Sequence, residues 1–293
     1  MPTIESGTTT ANGVDVAYLA CGDGPLALCL QGFPDSAHTW RDLLPALADA
    51  GFRAVAPFMR GYAPTAVPAD GRFQIGVLAQ DALALHEVFG ADDAAVLVGH
   101  DYGAAAAYGA VNADPDRWRR LVTLALPPGD AFVQALMTNI DQLKRSWYMF
   151  FFQHPLADVI VGGNDLAFID RLWADWSPGF AAADDLALLK PSLRDPSNLA
   201  AALGYYRAAL GGVGVDPALD ELQAASQQMP VVPTLYLHGT TDGCIGPEVV
   251  SAVAASAPDN LRIEQIDGTG HFLHREQPAA VNRYVVEHLT AST

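Results

Sequence analysis

Asp101 has the clearest chemical setting in the chain. It stands in Gly99-His100-Asp101-Tyr102-Gly103, after the apolar Val96-Leu97-Val98 and before an alanine-rich run that reads as a helix. A strand that ends in G-x-nucleophile-x-G and turns at once into a helix lifts the central side chain onto a strained, exposed tip. Glycine is needed where strand and helix pass too close for side chains. The helix N-terminus favours an ionised carboxylate at that tip. Taken alone, the same pattern also reads as an aspartate that merely caps its helix. Three further segments weigh against the bland reading. Gln31-Gly32-Phe33-Pro34 follows an apolar strand, and its loop is expected to face Asp101, so that the backbone N–H groups of Phe33 and Tyr102 converge on an oxyanion. Gly239-Thr240-Thr241-Asp242 closes a later strand, and Gly268-Thr269-Gly270-His271 follows the next. Nucleophile, acid and histidine in that order are the parts of a covalent hydrolytic site, in which the histidine activates water and the acid orients the histidine. Asp267 also lies near His271 in sequence, but it reads more simply as a turn residue before Gly268.

The elements that must hold these residues alternate between short apolar runs and longer helical patterns, the signature of a mostly parallel sheet covered by helices. Leu26–Leu30, Ala54–Ala56, Ala94–Val98, Leu121–Leu126, Val231–Leu237 and Leu261–Ile266 read as strands. Ile75–Phe89 reads as a helix, with Leu78, Ala82, Leu85 and Phe89 at helical spacing. A helix near Pro247–Ala255 and a final helix complete the pattern. After the turn signal Pro127-Pro128-Gly129 the rhythm changes, and to about Met229 it is helical and rich in aromatics. The expected organisation is therefore a core of residues 1–128 and 229–293, interrupted by a helical cap at 129–228.

On these motifs the chain resembles the epoxide hydrolase branch of the α/β-hydrolase fold. That branch carries an H-G-x-P loop, a G-x-D-x-G nucleophile and two cap tyrosines that hold the epoxide oxygen. Ser146-Trp147-Tyr148-Met149-Phe150-Phe151-Phe152-Gln153 is similar to the first cap motif and points to Tyr148. Gly204-Tyr205-Tyr206-Arg207 is similar to the second and points to Tyr206, with Tyr205 as packing. An alkoxide is a poor leaving group, so two phenols would have to donate hydrogen bonds as its C–O bond breaks. The resemblance implies hydrolysis of epoxides to vicinal diols through an ester on Asp101, released by water that His271 and Asp242 activate. It also implies that Phe33, Trp40, Tyr102 and Trp147 contact the substrate, and that neither a metal nor an organic cofactor is needed. Some relatives place the acid after the strand that precedes the cap, but Thr123-Leu124-Ala125-Leu126-Pro127 offers no carboxylate. The chain departs from the pattern at Gln31, where the family has histidine, at Ala37 and His38, where relatives often carry large aromatics, and in Phe58-Met59-Arg60-Gly61-Tyr62.

A haloalkane or haloacid dehalogenase shares the Asp–His machinery. Here, however, Tyr102 and Phe33 stand where haloalkane dehalogenases place tryptophan and asparagine, and the arginine of fluoroacetate dehalogenases is absent. A non-catalytic receptor for an epoxide-like ligand is the alternative from another class.

Composition sets outer bounds. The chain has 293 residues, 51% apolar, and a formal charge of −17, which disfavours nucleic acid and anionic membranes as partners. No apolar run reaches the ~18 residues of a membrane span, and no leader pattern is visible, so a cytoplasmic enzyme is expected. Cys21, Cys29 and Cys244 match no metal motif, and Cys29 reads as a small buried hydrophobe. A homodimer is common for such folds, though no residue pattern demonstrates one.

Overall fold

The computed structural model describes residues 2–291. Among them one sheet contains β1 (Glu5–Ala11), β2 (Val14–Cys21), β3 (Leu26–Leu30), β4 (Arg53–Pro57), β5 (Val96–His100), β6 (Arg120–Leu124), β7 (Thr234–Gly239) and β8 (Leu261–Ile266). Their order across the sheet is β1-β2-β4-β3-β5-β6-β7-β8. β2 runs antiparallel to β1 and β4, and every other pairing is parallel. β3, β5, β6 and β7 are buried along their whole length, as strands covered on both faces must be.

Both expected central features are present, a mostly parallel sheet and a long helical insertion, but several edges differ. β1 and β2 are not anticipated by the sequence reading. β1 is polar, threonine-rich and at the sheet edge, so it lacks an apolar signature. The signal that does exist is Asn12-Gly13, whose φ angles of 47° and 73° suit a tight hairpin turn. β5 starts two residues later than expected because Asp92 folds a turn over Ala94 and Ala95. β7 starts after Pro233, which has no N–H to give the ladder, and Val231 is exposed.

Before β6 lie α1 (Leu43–Asp49), α2 (Ile75–Val88) and α3 (Tyr102–Ala113). Between β6 and β7 come α4 (Ala131–Thr138), α5 (Ile140–Arg145), α6 (Trp147–Phe151), α7 (Ala157–Trp176), α8 (Ala183–Leu189), α9 (Pro196–Gly211) and α10 (Asp220–Ala225). No strand occurs among the described residues of this segment. After β7 come α11 (Glu248–Ala254), α12 (Leu273–Glu276) and α13 (Pro278–Thr290). α2 packs on α3, and α1 packs on α13. α7 is interrupted where Asn164, Asp165 and Leu166 take positive φ. α10 returns to the core and lies on α2 and α3. No helix among the described residues is long and apolar enough to cross a membrane.

α3 is alanine-rich because it lies almost in contact with the sheet. A Cβ on Gly103 would sit 2.1 Å from the Leu30 carbonyl oxygen, and one on Gly99 would sit 2.5 Å from that of Gly103. Those two glycines let the backbone turn from β5 into α3 with nothing between them.

Candidate active site

The turn between β5 and α3 holds Asp101 at φ 51° and ψ −119°, a conformation L-residues rarely adopt. Its carboxylate makes no capping bond to its own helix. It points the other way, and Oδ1 accepts a hydrogen bond from the Phe33 N–H at 2.8 Å. Gly32 permits that approach, since a Cβ there would lie 2.3 Å from the Asp101 Cβ. An aspartate serving only as a helix cap would be arranged in the opposite sense.

His271 lies in the loop after β8 and is fully buried. Its Nδ1 meets Asp242 Oδ2 at 2.9 Å, and its Nε2 faces Asp101 Oδ2 at 3.7 Å with no hydrogen-bond partner. Asp242 Oδ1 accepts from the N–H groups of Cys244 and Ile245 at 2.7 and 2.9 Å. Acid and histidine are joined from outside by α7, whose last carbonyl, Trp176 O, accepts from both Gly243 N and His271 N at 3.0 Å. The flanking glycines follow from this clamp: a Cβ on Gly270 would lie 2.5 Å from Trp176 O, and one on Gly243 would lie 2.0 Å from Asp175 O. Asp267 stays exposed and accepts from Thr240.

The electrostatics follow from burial and two carboxylates. Burial works against a charge on His271, but Asp242 and Asp101 outweigh it and raise its pKa to about 10. Burial likewise opposes ionisation of Asp242, yet the charge and hydrogen bond of His271 hold that carboxyl below its ordinary value.

From the helical segment, α6 brings Tyr148 and α9 brings Tyr206 over Asp101. Both are buried, and their rings meet edge to face at 5.5 Å. Burial pushes both phenols well above their ordinary pKa, so both remain donors. The Tyr206 hydroxyl has no hydrogen-bond partner, whereas that of Tyr148 lies 3.4 Å from Cys244 Sγ. Tyr205 faces away and donates to the Arg60 carbonyl. These groups open into a cavity of about 310 Å³, walled by apolar side chains that include Phe132, Leu136, Met137, Met149 and Leu210. That size falls within the ~300–1,000 Å³ of small-molecule sites.

Of the four residues expected against substrate, only Tyr102 lines this cavity. Trp147 is a correction: it is 49% exposed and packs on Phe151 and Phe168. Its neighbour Tyr148 takes the inward face of α6, and successive helical residues point about 100° apart. Trp40 is a second correction, for it is fully buried with its ring stacked on His274 at 4.9 Å. The Phe33 ring packs edge-on behind Tyr206 and Phe152, so its contribution to the site is its backbone N–H. Tyr102 follows Asp101 at the start of α3, with its ring edge-on to Tyr206 at 5.0 Å.

The departures from the family pattern have structural accounts in part. Gln31 is fully buried with no partner for either amide atom. His38 is half-buried against Phe58, not on the open surface. Arg60 pairs bidentately with Asp81, which ties its segment to α2. Sequence reasoning missed Gln142 and Cys244, which bracket the acid's turn. Cys244 was visible beside Asp242, but nothing in its spacing indicates that it reaches Tyr148.

Residues 25–278 match the family profile described as the alpha/beta hydrolase fold. An epoxide hydrolase of Caballeronia sordidicola is 29% identical, with 95% of this chain and 91% of that protein covered. Epoxide hydrolase A of Mycobacterium tuberculosis is 28% identical, with 95% of each covered. A crystal structure of the Bacillus megaterium epoxide hydrolase with an inhibitor superposes with a TM-score of 0.81 at 26% identity, covering 97% of this chain and 100% of that one. The profile match spans most of the chain, and with the sheet order and the turn at Asp101 already described, the chain belongs to the alpha/beta hydrolase fold family.

Proposed function

We propose that this hydrolase opens epoxides to vicinal diols through a covalent ester on Asp101, with 129–228 as the cap that completes the pocket. The observation that carries the reading is the meeting, in one apolar cavity, of a carboxylate held off its own helix and two buried phenols. One of those phenols is without any partner. Serine or water chemistry at a carbonyl has no use for two such donors opposite the nucleophile, whereas an epoxide oxygen does.

Asp101 forms a C–O bond to one ring carbon as the ring C–O bond breaks and its electron pair moves to oxygen. Tyr148 and Tyr206 donate to that oxygen, which takes up a proton from a phenol. The imidazolium of His271 restores the phenol through solvent, and the imidazole is left neutral. His271, held by Asp242, then takes a proton from water, and the hydroxide adds to the ester carbonyl. The Phe33 and Tyr102 N–H groups serve the resulting oxyanion. Collapse expels the second oxygen, which takes the carboxyl proton, so the diol leaves and both Asp101 and His271 regain their resting charges. The substrate is a small epoxide with an apolar substituent, which the cavity wall accepts.

The test is a single turnover in oxygen-18 water, with epoxides and haloalkanes assayed in parallel. Label entering Asp101 before the diol supports the ester. Label entering the diol directly, or halide release without diol formation, refutes the reading.

A further inference from the structure

Cys244 is buried, and its side chain makes one polar contact, with the Tyr148 hydroxyl at 3.4 Å. The backbone around it is fastened from two sides. Asp242 Oδ1 accepts its N–H and that of Ile245. From the helical segment, the fully buried Gln142 donates to the Cys244 carbonyl at 2.9 Å and accepts from Gly246 N at 2.9 Å. The same Gln142 amide donates to Ser146 Oγ at 2.9 Å, two residues before Tyr148. Thiol and phenol are thus positioned against each other by one side chain that holds both segments.

Either atom can donate in the resting contact. An epoxide oxygen carries no hydrogen, so once substrate is bound the Tyr148 proton is committed to it. The contact then persists only with the thiol as donor. We propose that Cys244 is a positioning residue for ring opening: its S–H donates to the Tyr148 oxygen while that phenol donates to the epoxide oxygen. Chained hydrogen bonds polarise one another, so a donor behind the phenol supports the negative charge gathering on it. The proposal rests on the reading of Tyr148 given above. Burial, with Asp242 and Asp101 nearby, keeps the thiol protonated, which supplies the donor and spares the thiol from alkylation by the substrate.

The test resolves the two half-reactions in single-turnover experiments on Cys244→Ala, Cys244→Ser and Tyr148→Phe, with styrene oxide as probe. Cys244→Ala should slow formation of the alkyl-enzyme roughly 2- to 5-fold, since it removes one weak donor in a chain, and leave its hydrolysis unchanged. Cys244→Ser, which restores a donor, should return alkylation to near the wild-type rate. In a Tyr148→Phe background, Cys244→Ala should cost nothing further. Unchanged alkylation in Cys244→Ala, or a serine variant as slow as the alanine one, overturns the proposal. So does parallel slowing of both steps, which would mean that only the Asp242 turn had shifted. If the wild-type protein forms no alkyl-enzyme, or Tyr148→Phe opens the epoxide at full rate, the reading of the site fails first and this proposal falls with it.

Discussion

Replacing Asp242 by asparagine should trap the alkyl-enzyme. In the wild-type chain Oδ1 faces two backbone donors, Cys244 N and Ile245 N, while Oδ2 faces His271 Nδ1 at 2.9 Å. An asparagine must keep its carbonyl oxygen on the two N–H groups, because turning its NH₂ towards them would oppose donor to donor. Its NH₂ then meets Nδ1 and makes that nitrogen an acceptor. The ring proton is forced onto Nε2, the atom that has to take a proton from water. The wrong tautomer in an acid–histidine pair of this kind costs roughly 10⁴ in rate, about 5 kcal/mol of barrier. That loss falls mainly on hydrolysis, because bond breaking in ring opening draws on Asp101 and the phenols. His271 serves there only to return a proton to a phenol, which solvent can also supply. Intact-mass analysis of quenched reactions should show nearly all the enzyme heavier by one substrate, with turnover reduced to the rate of ester breakdown. Asp267→Asn should turn over normally, since the Asp267 carboxylate accepts from Thr240 at the surface and its backbone carbonyl, which accepts from Gln277, is unchanged by the substitution. Full turnover by Asp242→Asn, or trapping by Asp267→Asn in its place, would refute the assignment.

Other outcomes follow from the same geometry. Tyr206→Phe should slow ring opening by roughly 10²–10³ where both donors matter, with little change in Tm, because the hydroxyl it removes has no partner to orphan. Gly99→Ala should destabilise the fold by about 1–3 kcal/mol or more, read by denaturant unfolding, since its Cβ meets the Gly103 oxygen at 2.5 Å and the Ala104 backbone at 2.7 Å. His271 should contribute stability that is fully present below pH ~6.5 and lost as pH rises towards 10, because its folded pKa is raised above the unfolded value. Comparison of wild type with His271→Gln by denaturation across that range checks the sign.

How much of this was legible in the sequence depends on how local each constraint is. Asp101, Asp242 and His271 stand out because glycines mark where backbone passes close to backbone, and the structure brings the three together. Tyr148 and Tyr206 were legible only through the likeness of their surroundings to a family, since an aromatic cap helix has many candidates for packing. Which aromatics of a cap helix face the cavity depends on helix rotation, which turns Trp147 outward, whereas Trp40 is taken up by core packing against His274. The hairpin of β1 and β2 was hidden by its polar edge strand, although its Asn-Gly turn is written plainly. The clamp from the Trp176 carbonyl and the grip of Gln142 on the Cys244 turn join residues far apart in the chain, so no spacing rule records them.

In the proposed mechanism the charge arrangement also orders the two half-reactions. Asp242 and Asp101 together raise the His271 pKa to about 10 against the opposing effect of burial. At neutral pH the resting imidazole therefore holds its proton and is no base, and water in the pocket is not activated while Asp101 remains free. Ring opening turns Asp101 into a neutral ester and removes one of the two charges that held the proton. The imidazolium then gives up that proton, through solvent, to the phenol that has protonated the oxygen leaving the ring. What remains is a neutral histidine with Nε2 bare beside the ester, still fixed by Asp242 at 2.9 Å. On that proposed mechanism the base arises from the consumption of the nucleophile, and the 3.7 Å between Nε2 and Asp101 Oδ2 is close enough for such coupling while lying beyond an ordinary hydrogen bond.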